Sequence, residues 1–309
     1  VTTTVRVLVC DPVHHDGIAA MERVGFVVDV NPQISADELQ AVVSTYDALV
    51  VRSRTQVTER VIRGGARLKA IGRVGVGLDN IDVDAAAKRA IAVFNSPEAS
   101  AGAVAELTLG LMIALARRIP FADHAMKAGD WAKKRLKGWQ LEGKTLGVIG
   151  LGHIGERVAK LAKAFGMTIL IAKRTPPDPQ LLEALEAAFV PLRDLLTRSD
   201  VVTVHVPLTP ETHHLIGRRE LQAMKDGACL INTARGPIID EDALLRALQS
   251  GKLAGAALDV YGVEPPTNFE LMKLPNVVCT PHIGGQTGES QRKAATIIAA
   301  KIITHLANS

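Results

Sequence analysis

The chain has 309 residues, 47% of them hydrophobic, and a formal net charge of +4. That length and apolar share suit one large or two medium domains with substantial cores. With 3% aromatic residues there is little from which to build a base-stacking platform. The basic residues are scattered apart from short clusters such as residues 133–137, which read as a solvated face, so no nucleic-acid partner is expected. Cys10, Cys229 and Cys279 share no metal-ligand spacing and sit in apolar runs, which makes them reduced core residues of a cytoplasmic protein. The N-terminus lacks a basic start followed by a long apolar stretch, so no signal peptide is expected. The longest apolar run, residues 107–116, is too short to span a membrane.

Along the first hundred residues, short strand candidates fall at 5–10, 48–51, 69–72 and 92–94. Helical patterns separate them, at 35–46 and 83–90 among others. Ser35 followed by Glu38 predicts a capping box at the start of the first of these. A long helix is predicted at about 99–118. A second series of strands follows it, at 145–149, 168–172, 201–204, 229–232, 256–259 and 277–279. Strands alternating with helices predict an α/β protein with two Rossmann-like or flavodoxin-like doubly wound parallel sheets. The closing helical stretch has no further strand to join, so it is expected to pack back on the first unit. This gives a discontinuous domain of residues 1–98 plus 286–309 around an inserted domain of residues 99–285. A cleft between the two is the default ligand site.

Directly after the apolar run 145–149 comes Gly150-Leu151-Gly152-His153-Ile154-Gly155, and a helical pattern follows at once. In that context the glycines read as a dinucleotide fingerprint. Gly150 permits the tight turn, Gly152 admits the pyrophosphate and Gly155 lets the helix pack on the strand. Amides at the helix start receive the phosphates. His153 is expected along the pyrophosphate or in solvent. Farther on, Arg235, Asp259 with Glu264, and His282 each follow a strand candidate. Hydride exchange with a carbon that bears a hydroxyl needs a proton carrier, and a histidine serves near neutral pH. A neighbouring carboxylate would orient its ring, and a guanidinium would hold a substrate carboxylate. The remaining histidines show no metal-ligand spacing and no GxSxG elbow is present, so neither a metal nor a serine hydrolase is predicted.

With "GLGHIG", "NTARGPIIDEDALLRALQSGKLAGAALDV", "VEPP" and "TPHIGG" in that order, the chain resembles the D-isomer-specific 2-hydroxyacid dehydrogenases, most of all their phosphoglycerate dehydrogenase branch. The resemblance implies an NAD(P)-dependent oxidoreductase acting on a small anionic D-2-hydroxy acid or 2-oxo acid, and a homodimer built through the nucleotide domains. It implies Arg235, Glu264 and His282 as the catalytic trio. Cofactor contacts are implied at Val206, Pro207, Thr212, Thr233, Ala234, Gly284 and Gly285, with Asp259 on the nicotinamide carboxamide. Substrate contacts are implied at Arg52, Ser53 and Arg54, the two arginines near a phosphate, and at the amides of Gly75, Val76 and Gly77 for a carboxylate. The chain ends at Ser309 without the regulatory extension of many members, so serine feedback through such a domain is not expected. A second departure lies 23 positions after Gly150, where the NAD-type members carry aspartate and this chain has Lys173, then Arg174 and Thr175. Cations there match the 2′-phosphate of NADP(H), which is the favoured cofactor, with NAD(H) the alternative. That choice also keeps a second function open, NADPH-linked reduction of glyoxylate or hydroxypyruvate. A dinucleotide-sensing corepressor is the reading from another class.

Overall fold

The computed structural model describes residues 4–307. The first three residues, part of the segment on which the signal-peptide reading rests, and Asn308 of the predicted closing helix lie outside them. The chain divides into two units, one running up to Ala101 and resuming at Gly285, the other comprising Gly102–Gly284.

In the first unit, β1 (Arg6–Val9), α1 (His15–Arg23), β2 (Val27–Val30), α2 (Ala36–Val42), β3 (Ala48–Val51), α3 (Glu59–Gly64), β4 (Ala70–Arg73), α4 (Val83–Lys88) and β5 (Ala92–Phe94) alternate. The five strands are parallel in the order β2-β1-β3-β4-β5. Central strands of such a sheet are covered on both faces and read as unbroken apolar runs, as in the fully buried Ala-Leu-Val-Val of β3. The edge strand β2 is different. Its outer residues Val27 and Val30 are exposed and Asp29 interrupts it, so it offers no apolar run and escapes a sequence reading. The capping box on α2 forms as the sequence predicts. Ser35 Oγ accepts from the Glu38 amide, and the Glu38 carboxylate accepts from the Ser35 amide at 2.8 Å.

The second unit begins with α5 (Ala101–Arg117), whose first residue belongs to the other unit, and α6 (Ile119–Lys127). There follow β6 (Thr145–Ile149), α7 (His153–Ala164), β7 (Thr168–Ala172), α8 (Pro179–Leu185), β8 (Ala187–Phe189), α9 (Leu192–Arg198), β9 (Val201–Val204), α10 (Arg218–Ala223), β10 (Ala228–Asn232), α11 (Glu241–Gln249), β11 (Leu253–Leu258) and β12 (Val277–Cys279). The sheet has seven parallel strands in the order β12-β11-β10-β9-β6-β7-β8, one more than the sequence predicts. The extra strand, β8, is again an exposed edge of three residues. In α7, buried Gly155, Val158, Ala159 and Ala162 recur at helical spacing and seat the helix on the sheet. The last helix, α12 (Gly288–Ala307), returns to the first unit and buries Ala294, Ala295, Ile298, Ala299 and Ile302 against it. Its approach is close, since a Cβ on Gly17 of α1 would stand 2.8 Å from the Ala295 carbonyl oxygen.

One core expectation fails. Cys10 and Cys229 are buried and burial pushes both thiols up to about 12, whereas Cys279 ends the edge strand β12 and is exposed. No helix among the described residues is long and apolar enough to cross a membrane.

Candidate active site

Within the second unit the fingerprint occupies the turn from β6 into α7. Gly150 sits at φ +94°, and a Cβ there would come within 2.7 Å of the His205 carbonyl oxygen. At Gly155 a Cβ would stand 2.1 Å from the Gly150 carbonyl oxygen, so the helix can close on the turn only with glycine. Gly152, the N-cap of α7, is exposed, and a Cβ there would meet nothing within 4 Å. Open space above a helix start is what a pyrophosphate needs, and the residues present fit a dinucleotide. His153 is exposed and Ile154 half-buried at the same helix start. Lys173, Arg174 and Thr175 all lie exposed where β7 ends. Asp178 is no substitute for the missing acid, because its carboxylate caps α8 by accepting from the Gln180 amide at 2.9 Å.

On the neighbouring strand β9, the chain turns out through His205, Val206 and Pro207. The His205 ring places Nε2 2.9 Å from Thr203 Oγ1, while Nδ1 is sealed from solvent without a partner. Burial pushes this imidazole down to about 3, so it stays neutral. Sequence reading gives His205 no role. Its one signal is its place at the carboxyl end of a strand, beside Gly150. Thr212 keeps its hydroxyl for its own loop, donating to the Pro207 carbonyl at 2.6 Å and accepting from the Thr209 amide at 2.7 Å. Thr233 is likewise turned inward, its hydroxyl 3.0 Å from that of buried Thr108.

The three ionisable groups follow adjacent strands. Arg235 comes after β10, and its loop is shaped by buried Asn232, whose side chain accepts from the Ala234 amide and donates to the Arg235 carbonyl. After β11 come Asp259 and, on the following loop, Glu264, with His282 after β12. Glu264 Oε2 lies 2.6 Å from His282 Nδ1, and Glu264 Oε1 accepts from the Tyr261 amide at 3.0 Å. Both side chains remain partly open to solvent. His282 adopts φ +52°, which is costly for a residue with a side chain. Asp259 offsets that cost. Its carbonyl accepts from the His282 amide at 2.8 Å, and its buried carboxylate accepts from Thr280 Oγ1, the Ile283 amide and the Gly284 amide at 2.6 to 2.9 Å. Instead of standing open toward a carboxamide, the Asp259 carboxylate is largely occupied in holding the histidine loop. Tyr261, which sequence reading passes over, joins the loops. It donates its hydroxyl to the Thr280 carbonyl at 2.8 Å, and its backbone leaves so little room that a Cβ on Gly236 would come within 1.9 Å of it.

In the first unit, Arg52, Ser53 and Arg54 follow β3 and the Gly75-Val76-Gly77 loop follows the adjacent β4. The Gly75 amide donates to Ser96 Oγ at 3.0 Å, so Gly75 supplies shape through its φ of +144°, and not a free N–H. The Val76 and Gly77 amides carry no such bond among the described residues, and Asn95 Nδ2 fixes the loop by donating to the Val76 carbonyl at 2.7 Å. Arg54 departs from the expectation of an open anion-binding pair, since its guanidinium is directed at oxygens of the chain itself. Gly285 also lies in this unit and is half-buried.

Among the described residues one group of metal-capable donors comes together, His14, His15 and Asp16 at the start of α1. There the carboxylate is already engaged by Arg292, and His14 Nδ1 caps the helix.

A doubly wound sheet with a glycine turn at the start of α7 and a carboxylate-bound histidine beyond β12 defines a dinucleotide-binding α/β protein. Residues 109–284 match the family model described as "D-isomer specific 2-hydroxyacid dehydrogenase, NAD binding domain". The chain belongs to that family, and its second unit is a nicotinamide-cofactor domain. It is 50% identical over 299 residues to a D-3-phosphoglycerate dehydrogenase of Methanocaldococcus jannaschii, covering 96% of this chain and 57% of that protein. It is also 45% identical over 304 residues to a hydroxypyruvate reductase of Thermotoga maritima, covering 97% and 98% respectively. Among solved structures, a glyoxylate reductase from Paecilomyes thermophila superimposes with a TM-score of 0.91 at 33% identity, covering 98% of this chain and 95% of that one. The chain thus spans little more than half the length of its D-3-phosphoglycerate dehydrogenase relative.

Proposed function

We propose that the chain is an NAD(P)-dependent oxidoreductase that exchanges a hydride with a small D-2-hydroxy acid or its 2-oxo acid, with D-3-phosphoglycerate the leading substrate. The observation that carries the reading is the 2.6 Å contact between Glu264 Oε2 and His282 Nδ1. A bound nicotinamide supplies or accepts the hydride at the substrate carbon. Glu264 fixes the imidazole so that Nε2 is the nitrogen left to move a proton to or from the substrate oxygen. Arg235 holds the substrate carboxylate and polarises the adjacent carbonyl. In the first unit, the Val76 and Gly77 amides are donors of the kind a carboxylate takes.

NADP(H) is the preferred cofactor in this reading. Lys173 and Arg174 are exposed at the strand end with no carboxylate in the usual position, and a 2′-phosphate suits that pair. The same cations favour a second reading, reduction of hydroxypyruvate or glyoxylate, the reactions named for the Thermotoga and Paecilomyes relatives. Exposed Ile119, Met126 and Trp131 on the segment after α5 support a homodimer contact through the second unit. The three free thiols suit a reducing, cytoplasmic setting.

The deciding experiment assays 3-phosphoglycerate, hydroxypyruvate and glyoxylate, each with NAD(H) and with NADP(H). Turnover of phosphoglycerate with the highest kcat/KM is the expected result. Preference for an unphosphorylated 2-oxo acid selects the second reading, and binding of NADPH without turnover of any of them defeats both.

A further inference from the structure

We propose that Asp11, Arg54 and Asn80 are positioning residues, a hydrogen-bonded frame that shapes the loop after β3 and takes Arg54 itself out of the anion-binding pair. This rests on the proposed activity for its substrate and on the first unit alone for its geometry.

Asp11 follows β1 and is 1% exposed. Its Oδ2 accepts from the Arg52 amide at 2.6 Å and the Thr55 amide at 3.4 Å. Its Oδ1 lies 2.9 Å from Thr55 Oγ1 and accepts from Arg54 Nε at 3.0 Å. A carboxylate this deep requires a cationic partner, and Arg54 is that partner. The rest of the guanidinium is equally committed. Nη1 donates to the Ile34 carbonyl at 3.0 Å. Nη2 faces the carbonyls of Cys10 at 2.6 Å and Pro32 at 3.0 Å, with Thr55 Oγ1 at 3.3 Å. Arg54 therefore ties the ends of β1 and β3 to the segment after β2, and swinging it onto a substrate would leave Asp11 buried and unpaired.

Asn80 closes the loop from the other side. Its Nδ2 donates to the Arg52 carbonyl at 2.7 Å and the Thr55 carbonyl at 2.6 Å, using both amide hydrogens. It belongs to the segment that runs on from Gly77, and Val57 pairs with Ile81 beside it, so the arginine loop and the glycine loop are fixed to each other. Arg52 differs from its neighbour. Among the described residues its guanidinium makes one hydrogen bond, Nη1 donating to the Pro12 carbonyl at 3.3 Å, and Ser53 next to it is exposed. A planar, weakly engaged guanidinium on a rigid loop is suited to a phosphate or carboxylate.

The test uses the full chain with its cofactor and two substrates that differ only in a phosphate, 3-phosphohydroxypyruvate and hydroxypyruvate. Arg52→Ala is expected to reduce the preference for the phosphorylated substrate by ~10-fold or more, the scale of one lost charge-assisted bond. Arg54→Ala, Arg54→Lys and Asn80→Ala are expected to lower kcat/KM for both substrates by a common factor, so that the preference stays within twofold of wild type. Collapse of the preference in Arg54→Ala, with rescue by Arg54→Lys, overturns the proposal. Amide hydrogen exchange at Arg52 and Thr55 gives a second readout that needs no activity. Asn80→Ala is expected to speed it at least ~10-fold while Arg52→Ala leaves it slow, and equal protection in both variants overturns the frame. If the wild type shows no preference for phosphate, the phosphoglycerate reading fails, and exchange alone then decides the frame.

Discussion

The two units present their functional loops in the same way, from the carboxyl ends of parallel strands, yet they fix those loops by different means. In the second unit, backbone shape fixes the fingerprint loop, while Asp259 holds the histidine loop. Gly150, Gly152 and Gly155 set a turn whose spacing is visible in six consecutive residues. In the first unit, side chains distant in sequence do it. Asp11 bonds the Arg52 amide across 41 positions, and Arg54 reaches Cys10 across 44. A motif of the first kind can be read from the chain directly, whereas one of the second kind exposes its residue types but not their tasks.

The largest effect expected from breaking this contrast is in the histidine loop. His282→Ala should lower kcat by ~10²–10⁴-fold, the range for a lost general acid–base. NADPH binding, measured by fluorescence titration, should stay within a few-fold, because the glycine turn does not depend on that ring. A kcat within threefold of wild type would remove His282 from the chemistry.

At the end of β7, Lys173→Asp with Arg174→Ala should invert the cofactor ratio, lowering kcat/KM with NADPH by ~10–100-fold relative to NADH. An unchanged ratio would mean that both cations face solvent during turnover.

Gly155→Ala tests the backbone-set unit itself. Its Cβ would press on the Gly150 carbonyl, so a loss of ~1–3 kcal/mol in unfolding free energy, with weakened cofactor binding, is expected from urea titration. Unchanged stability would show that the turn can open to accept a methyl.

The smallest effect is read from pH. Burial pushes His205 down from the ordinary 6.5 to about 3 in the folded chain, so between those values the unfolded chain holds one proton more. Its contribution to stability is full above the unfolded value and is lost as pH falls below it, at up to ~1.4 kcal/mol per pH unit. Urea midpoints at pH 7.5 and 5.0 should therefore diverge less in His205→Asn than in wild type. Parallel losses in the two proteins would mean that the ring is hydrated.

Much of the fold is legible in the sequence because central parallel strands, covered on both faces, appear as apolar runs such as Thr168–Ala172. Edge strands β2 and β8 are not legible, since one exposed face removes the pattern. Cys279 misleads for the same reason, as it lies on the edge strand at the other end of the seven-stranded sheet.

The sequence by itself determined the doubly wound class, the glycine turn, the cations at the end of β7 and the ionisable groups that follow β10, β11 and β12. Each depends on residue type and local spacing. Only the tertiary structure decided which of those groups are committed. It turned Asp259 onto the histidine loop, closed Arg54 around Asp11 and spent the Gly75 amide on Ser96. The physical reason is that a buried polar group must find a partner, and the partner is set by what the fold brings within hydrogen-bonding distance.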